Sequence, residues 1–242
     1  MKKFTLIGYA VVAYGIGMAS LIYLMGFLMN TGVPKGIDSG GVSTNLWLAL
    51  SGNLVLVGVY FVIHSIMARP WFKRWWTRFI PEGTERSTYV LISGITVFLL
   101  VFLWQPLGNR LWVVESEIGR IALISVYLSG WALMVLATFN IDHWSFFGLR
   151  QAWISAQKKT AKSSSFSARY LYSFSRHPIS LGWLTVMWIT PDMTLGHLLM
   201  ALMSSLYIFM ITPIEEADLL EEIGERYAQY RSEVRRFLPF PK

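Results

Sequence analysis

The sequence predicts an all-α, polytopic integral membrane protein. It should have five to six transmembrane helices, including a C-terminal helical hairpin, and a cytoplasmic amphipathic C-terminal helix. Three observations carry this expectation. Of 242 residues, 54% are hydrophobic and 14% charged, whereas a soluble domain carries about 25% charged residues. Uncharged runs long enough to cross a bilayer, which takes about 20 residues, recur along the chain. And 18 of the 21 Lys and Arg residues fall in alternate connections, the positive-inside pattern of a chain that crosses repeatedly.

Residues 4–29 form the first span. The Met-Lys-Lys start suits a signal peptide, but the apolar stretch far exceeds an h-region of about 7–15 residues, so a retained helix is expected. Residues 46–68, 87–107 and 121–141 are three further uncharged runs, and Trp104 closes the second of them as an interface anchor. Residues 179–214 hold one charge, Asp192. A Pro191–Asp192 turn with Gly196 behind it divides this run into a hairpin, whose first arm, 179–190, is short for a full crossing. The basic clusters around 69–86, 150–176 and 226–242 then lie with the N-terminus on the cytoplasmic side. The chain is expected to be one domain: a four-helix membrane part over 1–141, a cytoplasmic connection over 142–178, and the hairpin with its C-terminal helix over 179–242.

The formal charge of +7 is thereby absorbed by topology and by contact with membrane lipids, and nucleic acid is not an expected partner. With no cysteine, disulfides, zinc–thiolate sites, iron–sulfur clusters and a thiol nucleophile are excluded, and no metal site is expected. Gly15, Gly17 and Ala19 suit either close helix packing or a homo-oligomer contact. His64 and His197 sit in apolar helical surroundings, as core histidines or, alternatively, as haem ligands. The polar stretch 158–165 is a candidate lid.

Three cytoplasmic segments carry polar groups that anchoring does not require. In Tyr172-Ser173-Phe174-Ser175-Arg176-His177-Pro178, Pro178 suits the first position of a helix, and Arg176 beside free helix-start N–H groups makes either an anion site or a pair that meets lipid headgroups. Gly182 lets another backbone or a ligand approach closely. Glu215 and Glu216 end the last span, where ionised groups want partners. They suit an amine, ribose hydroxyls or a cation, or an ion-pair network to the Arg176 segment. From Ile214 onward, an amphipathic helix is expected along the membrane. Finally, Asn140-Ile141-Asp142-His143 and Phe147-Gly148-Leu149-Arg150 combine aromatic rings with polar tips, as in an aromatic belt or a reactive site.

Arg176-His177-Pro178 with Gly182, then a hairpin, then Glu215-Glu216 with Leu219, Gly224, Tyr227, Tyr230, Val234 and Pro239, resembles the isoprenylcysteine carboxyl methyltransferase and phospholipid methyltransferase superfamily. Glu85-Arg86-Ser87-Thr88-Tyr89 with Trp104-Gln105-Pro106, and the segments around His143 and Thr190-Pro191, resemble its branch of nurim and bacterial methanethiol S-methyltransferases. Ala217 and Asp142 depart from that pattern. The resemblance implies a bacterial inner-membrane enzyme that methylates a small volatile thiol from S-adenosylmethionine. It also implies that Arg176, His177, Pro178, Gly182, Glu215 and Glu216 surround that donor. Tyr172, Trp183 and Tyr207 are aromatic candidates for its adenine or sulfonium. His143 is the candidate general base, and Arg150 the candidate thiolate stabiliser. A lipid amine or a prenylcysteine carboxylate as acceptor, and a non-enzymatic nurim-like role, are the alternatives.

Overall fold

The computed structural model describes residues 3–40, 45–81, 83–159 and 168–237. Pro239 and most of the 158–165 stretch lie outside them. In chain order the elements are α1 (Lys3–Leu28), α2 (Leu46–Ala68), α3 (Pro70–Trp76), α4 (Glu85–Leu103), β1 (Arg110–Val113), α5 (Glu117–Ile141), α6 (His143–Phe146), α7 (Leu149–Ala156), α8 (Leu171–Phe174), α9 (Pro178–Trp188), β2 (Asp192–Thr194), α10 (Leu195–Ile223) and α11 (Glu225–Glu233). Among the described residues, α1, α2, α4, α5 and α10 are long and apolar enough to cross a membrane. The chain divides into two compact units, Met1–Gly108 with Trp144–Ser163, and Asn109–His143 with Ser164–Lys242.

In the first unit α1 and α4 run parallel and interlock through small residues. A Cβ on Gly17 would stand 2.7 Å from Cγ1 of Val90, and one on Gly94 would stand 3.1 Å from Cα of Gly17. The small-residue stripe of the first span is thus used, at Gly17, for packing within the chain, while Gly15 faces open space. Lys35 donates from Nζ to the carbonyls of Phe102 and Trp104, a cation placed at the negative end of the α4 dipole. His64 is held between hydroxyls, with Nε2 2.7 Å from Tyr89 Oη and Nδ1 3.1 Å from Ser93 Oγ.

The second unit is built on the antiparallel packing of α5 and α9. A Cβ on Gly130 would meet Val186 Cγ1 at 2.9 Å, and one on Gly182 would meet Met134 Cγ at 2.5 Å and the Gly130 carbonyl oxygen at 2.8 Å. The close approach that Gly182 permits is therefore filled by the Met134 side chain and the backbone of α5. The 11 residues of α9 rise about 16 Å at 1.5 Å each, half of a bilayer core. An extended stretch completes the arm: β2 pairs antiparallel with β1, and β1 leads directly into the start of α5. Arg120 closes the ribbon with two hydrogen bonds to Asp192, at 3.0 and 2.7 Å. His197, buried at the start of α10, has Nε2 3.0 Å from the Met187 carbonyl and so caps the end of α9.

One expected boundary moves. The amphipathic segment does not begin as a new helix at Ile214, because α10 continues through Pro213 to Ile223. Proline removes one intrahelical bond, but Glu-Glu-Ala-Asp-Leu-Leu-Glu-Glu after it is rich in helix formers. The break falls instead at Gly224, with φ +72°, and α11 follows it.

Candidate functional site

The polar centre of the second unit forms around one carboxylate. Glu216, on the inward face of α10, is 1% exposed and Arg176 is 9% exposed. Nε and Nη2 of Arg176 both stand 2.9 Å from Oε1, and His177 Nε2 stands 3.0 Å from the same oxygen. Arg236 donates to Oε1 at 3.3 Å and to Oε2 at 3.2 Å, while Arg231 Nε lies 3.6 Å from Oε2. Three guanidinium groups thus surround one buried anion, and Glu215, half-exposed, adds a second carboxylate 3.9 Å from His177 Nδ1. The cluster carries both signs of charge with a surplus of positive charge.

Local folding explains this convergence. Pro178 opens α9, so Arg176 and His177 are the non-helical residues that lead into a helix, His177 with φ −128° and ψ 61°. Their backbone N–H groups donate to the carbonyls of Arg235 and Arg236, at 2.9 and 3.1 Å, and Arg176 Nη1 donates to the carbonyls of Arg231 and Val234. Tyr230 Oη donates to the Tyr172 carbonyl at 2.7 Å. The chain after α11 is therefore laced to the segment before α9. Burial holds the ring of His177 below the usual imidazole range, and the neighbouring Glu216 opposes that shift. Burial and the Glu216 charge push the Tyr227 hydroxyl up to about 12. The hydroxyl of Thr212, fully buried one turn before Glu216, has no hydrogen-bond partner among the described residues.

His143 follows the end of α5, buried, with its ring stacked on Phe139 at 4.2 Å and 9°. Its Nδ1 is 2.7 Å from Thr138 Oγ1, and that hydroxyl donates its proton to the Val135 carbonyl. Burial lowers the His143 pKa and Asp142 opposes the shift, so the ring is neutral near pH 7.

No family model matches the chain, and no solved structure matches it. Among known proteins, methanethiol S-methyltransferase of Mycobacterium tuberculosis is 41% identical over 241 residues, covering 100% of this chain and 98% of the relative. The chain belongs to the methanethiol S-methyltransferase family. A second member, from Pseudomonas sp. (strain GM41(2012)), is 42% identical over 96% of this chain and 88% of its own length. Rat nurim is 27% identical over 86% of each chain.

For this member of the methanethiol S-methyltransferase family, the residues singled out from sequence separate into groups. Arg176, His177 and Glu216 meet directly, with Glu215 beside them and Tyr172 joined through its carbonyl. Pro178 is buried as the first residue of α9. Trp183 lies edge-on to Trp131 at 5.4 Å, beside the Gly182 contact with α5. Tyr207 lies nine residues before Glu216, on the opposite side of α10 at 100° per residue. Arg150 lies exposed on α7 in the other unit. Sequence reasoning missed Arg231 and Arg236, which it assigned to topology, and Thr138. The spacing of Thr138 and His143 across a helix end was the available signal for the last.

Proposed function

We propose that the protein transfers a methyl group from S-adenosylmethionine to methanethiol, giving dimethyl sulfide, at the cytoplasmic face of a bacterial inner membrane, with both termini on that side. The full-length relationship to proteins named methanethiol S-methyltransferase is the observation that carries this reading. The chain's residues fit the donor. An amino-acid zwitterion needs both charges, and partly exposed Arg231, Arg236 and Glu215 offer both; Thr212, a buried hydroxyl one turn before Glu216, has no hydrogen-bond partner among the described residues. Bound there, S-adenosylmethionine supplies a methyl carbon on a cationic sulfur.

The remaining work belongs to side chains. Arg176 commits its donors to Glu216 and to backbone carbonyls, so its task is to hold the site together. The donor carboxylate falls to Arg231 and Arg236, and its amine or ribose to Glu215. His143, neutral near pH 7, takes the thiol proton; the thiolate then forms the new S–C bond, and the electrons of the old bond leave with the donor sulfur. The one-carbon acceptor offers little to bind, so alignment and exclusion of water carry much of the rate.

The test is direct. Incubation of the purified protein with methyl-labelled S-adenosylmethionine and methanethiol is expected to release labelled dimethyl sulfide into the headspace. No product with donor binding intact by calorimetry would move the activity to another acceptor, and no donor binding would remove the enzymatic reading.

A further inference from the structure

We propose that the segment from Arg69 to Phe79 is a docking surface for anionic phospholipid headgroups, distinct from the general contact of the spans with acyl chains. Arg69 is extended, with φ −72° and ψ 142°, and Pro70 opens α3, so the chain leaves the axis of α2 as soon as that span ends. Within α3, at 100° per residue, Trp71, Phe72, Trp75 and Trp76 fall in one arc of about 140°, while Lys73 and Arg74 fall outside it; Arg78 and Phe79 lie in the turn that follows. The rings form a continuous set: Phe72 stacks on Trp76 at 5.9 Å, Trp75 meets Trp76 at 5.8 Å, and Trp75 meets Phe79 edge-on at 5.2 Å.

Much of this apolar face remains exposed, at 55% for Trp71, 46% for Trp75 and 66% for Phe79. Large rings gathered in one exposed patch mark a contact surface. Their position beside the end of a membrane span selects the bilayer interface, where the amphipathic indole ring is favoured. Charge then selects the headgroup. Residues 69–81 contain four cations and no Asp or Glu. Arg74 and Arg78 are exposed and have no ion pair among the described residues. With rings in the interface, the exposed cations beside them stand at the level of lipid phosphates, where each Lys or Arg adds about fivefold in affinity for an anionic surface.

The purified full-length chain in detergent, offered equal amounts of fluorescent phosphatidylglycerol and phosphatidylcholine, is expected to retain the former preferentially after gel filtration, with the preference falling as salt rises. R74Q and R78Q are each expected to reduce the preference about fivefold, whereas R74K/R78K retains it. W71A/W75A is expected to reduce retention of both lipids. An unchanged melting temperature in R74Q/R78Q shows that the fold is intact. Equal retention of the two lipids, or a phosphatidylglycerol preference unaltered in R74Q/R78Q, would overturn the proposal; in that second case the cations serve another partner, such as an acidic protein.

Discussion

Glu216 answers three arginines and a histidine, so its removal leaves several buried or half-buried cations without a counter-charge. Glu216→Ala is expected to destabilise the protein by about 3–5 kcal/mol, read as a lowered melting temperature along with lost donor binding. His143 supports a prediction in pH. The base is competent when neutral, and burial lowers its pKa, so kcat should fall with acid only below the ordinary value of about 6.5. Asp142 opposes that shift, so Asp142→Asn should carry the acid limb of kcat to still lower pH. A limb that stays in place would count against His143 as the base. The two polar motifs were legible in the sequence because Arg-His-Pro and Glu-Glu stand out against apolar runs. The division of labour within them was not. Nothing local distinguishes Glu216, turned inward, from Glu215, half in water, and Arg231 and Arg236 look like any topology-setting cations until the chain folds back on residues 175–177.

Among the elements, the pairing of α5 with α9 depends on two missing side chains. Gly182→Ala would press a methyl group against Met134 and the Gly130 carbonyl, and such overpacking costs about 1–3 kcal/mol. Thermal melting should record that loss. The β1–β2 ribbon makes a different prediction. The hydrogen bond from Arg120 holds the Asp192 carboxyl below the usual range, against the opposing effect of burial. Its stabilisation is therefore present above the unfolded carboxylate pKa, about 3.9, and is lost as pH falls through the lower folded value. Asp192→Asn should cost about 0.2–1 kcal/mol, given its half-exposed setting, and should flatten the acid side of the stability curve. The hairpin was legible from its Pro-Asp turn. Its extended half was not, because the strand that receives it lies about 80 residues earlier and neither strand alternates in polarity. The boundary expected at Ile214 moved in the other direction, because the helix formers after Pro213 carry α10 on to Ile223.

For the whole molecule, the alternation of basic connections predicts the side of the membrane on which each lies. The absence of cysteine makes this simple to measure, since single cysteines can be added to the natural background. A membrane-impermeant maleimide is expected to label Glu115→Cys in intact cells and Ser232→Cys only after permeabilisation. The reverse pattern would invert the proposed orientation. The number of long spans was legible from length and hydropathy, which depend on the bilayer alone. The grouping of the chain into two units was not, because segments far apart in sequence join each unit.

The lacing of residues 175–177 to the carbonyls beyond α11 also has a meaning for biosynthesis. Arg176 and Glu216 can be made and inserted early, but their arrangement waits for residues 231–236 to leave the ribosome. Until then Glu216 lacks two of its three arginines. A nascent chain should therefore pass through the membrane machinery unable to capture the methyl donor, and a nonsense codon between Gly224 and Arg236 should yield an inserted but inactive product.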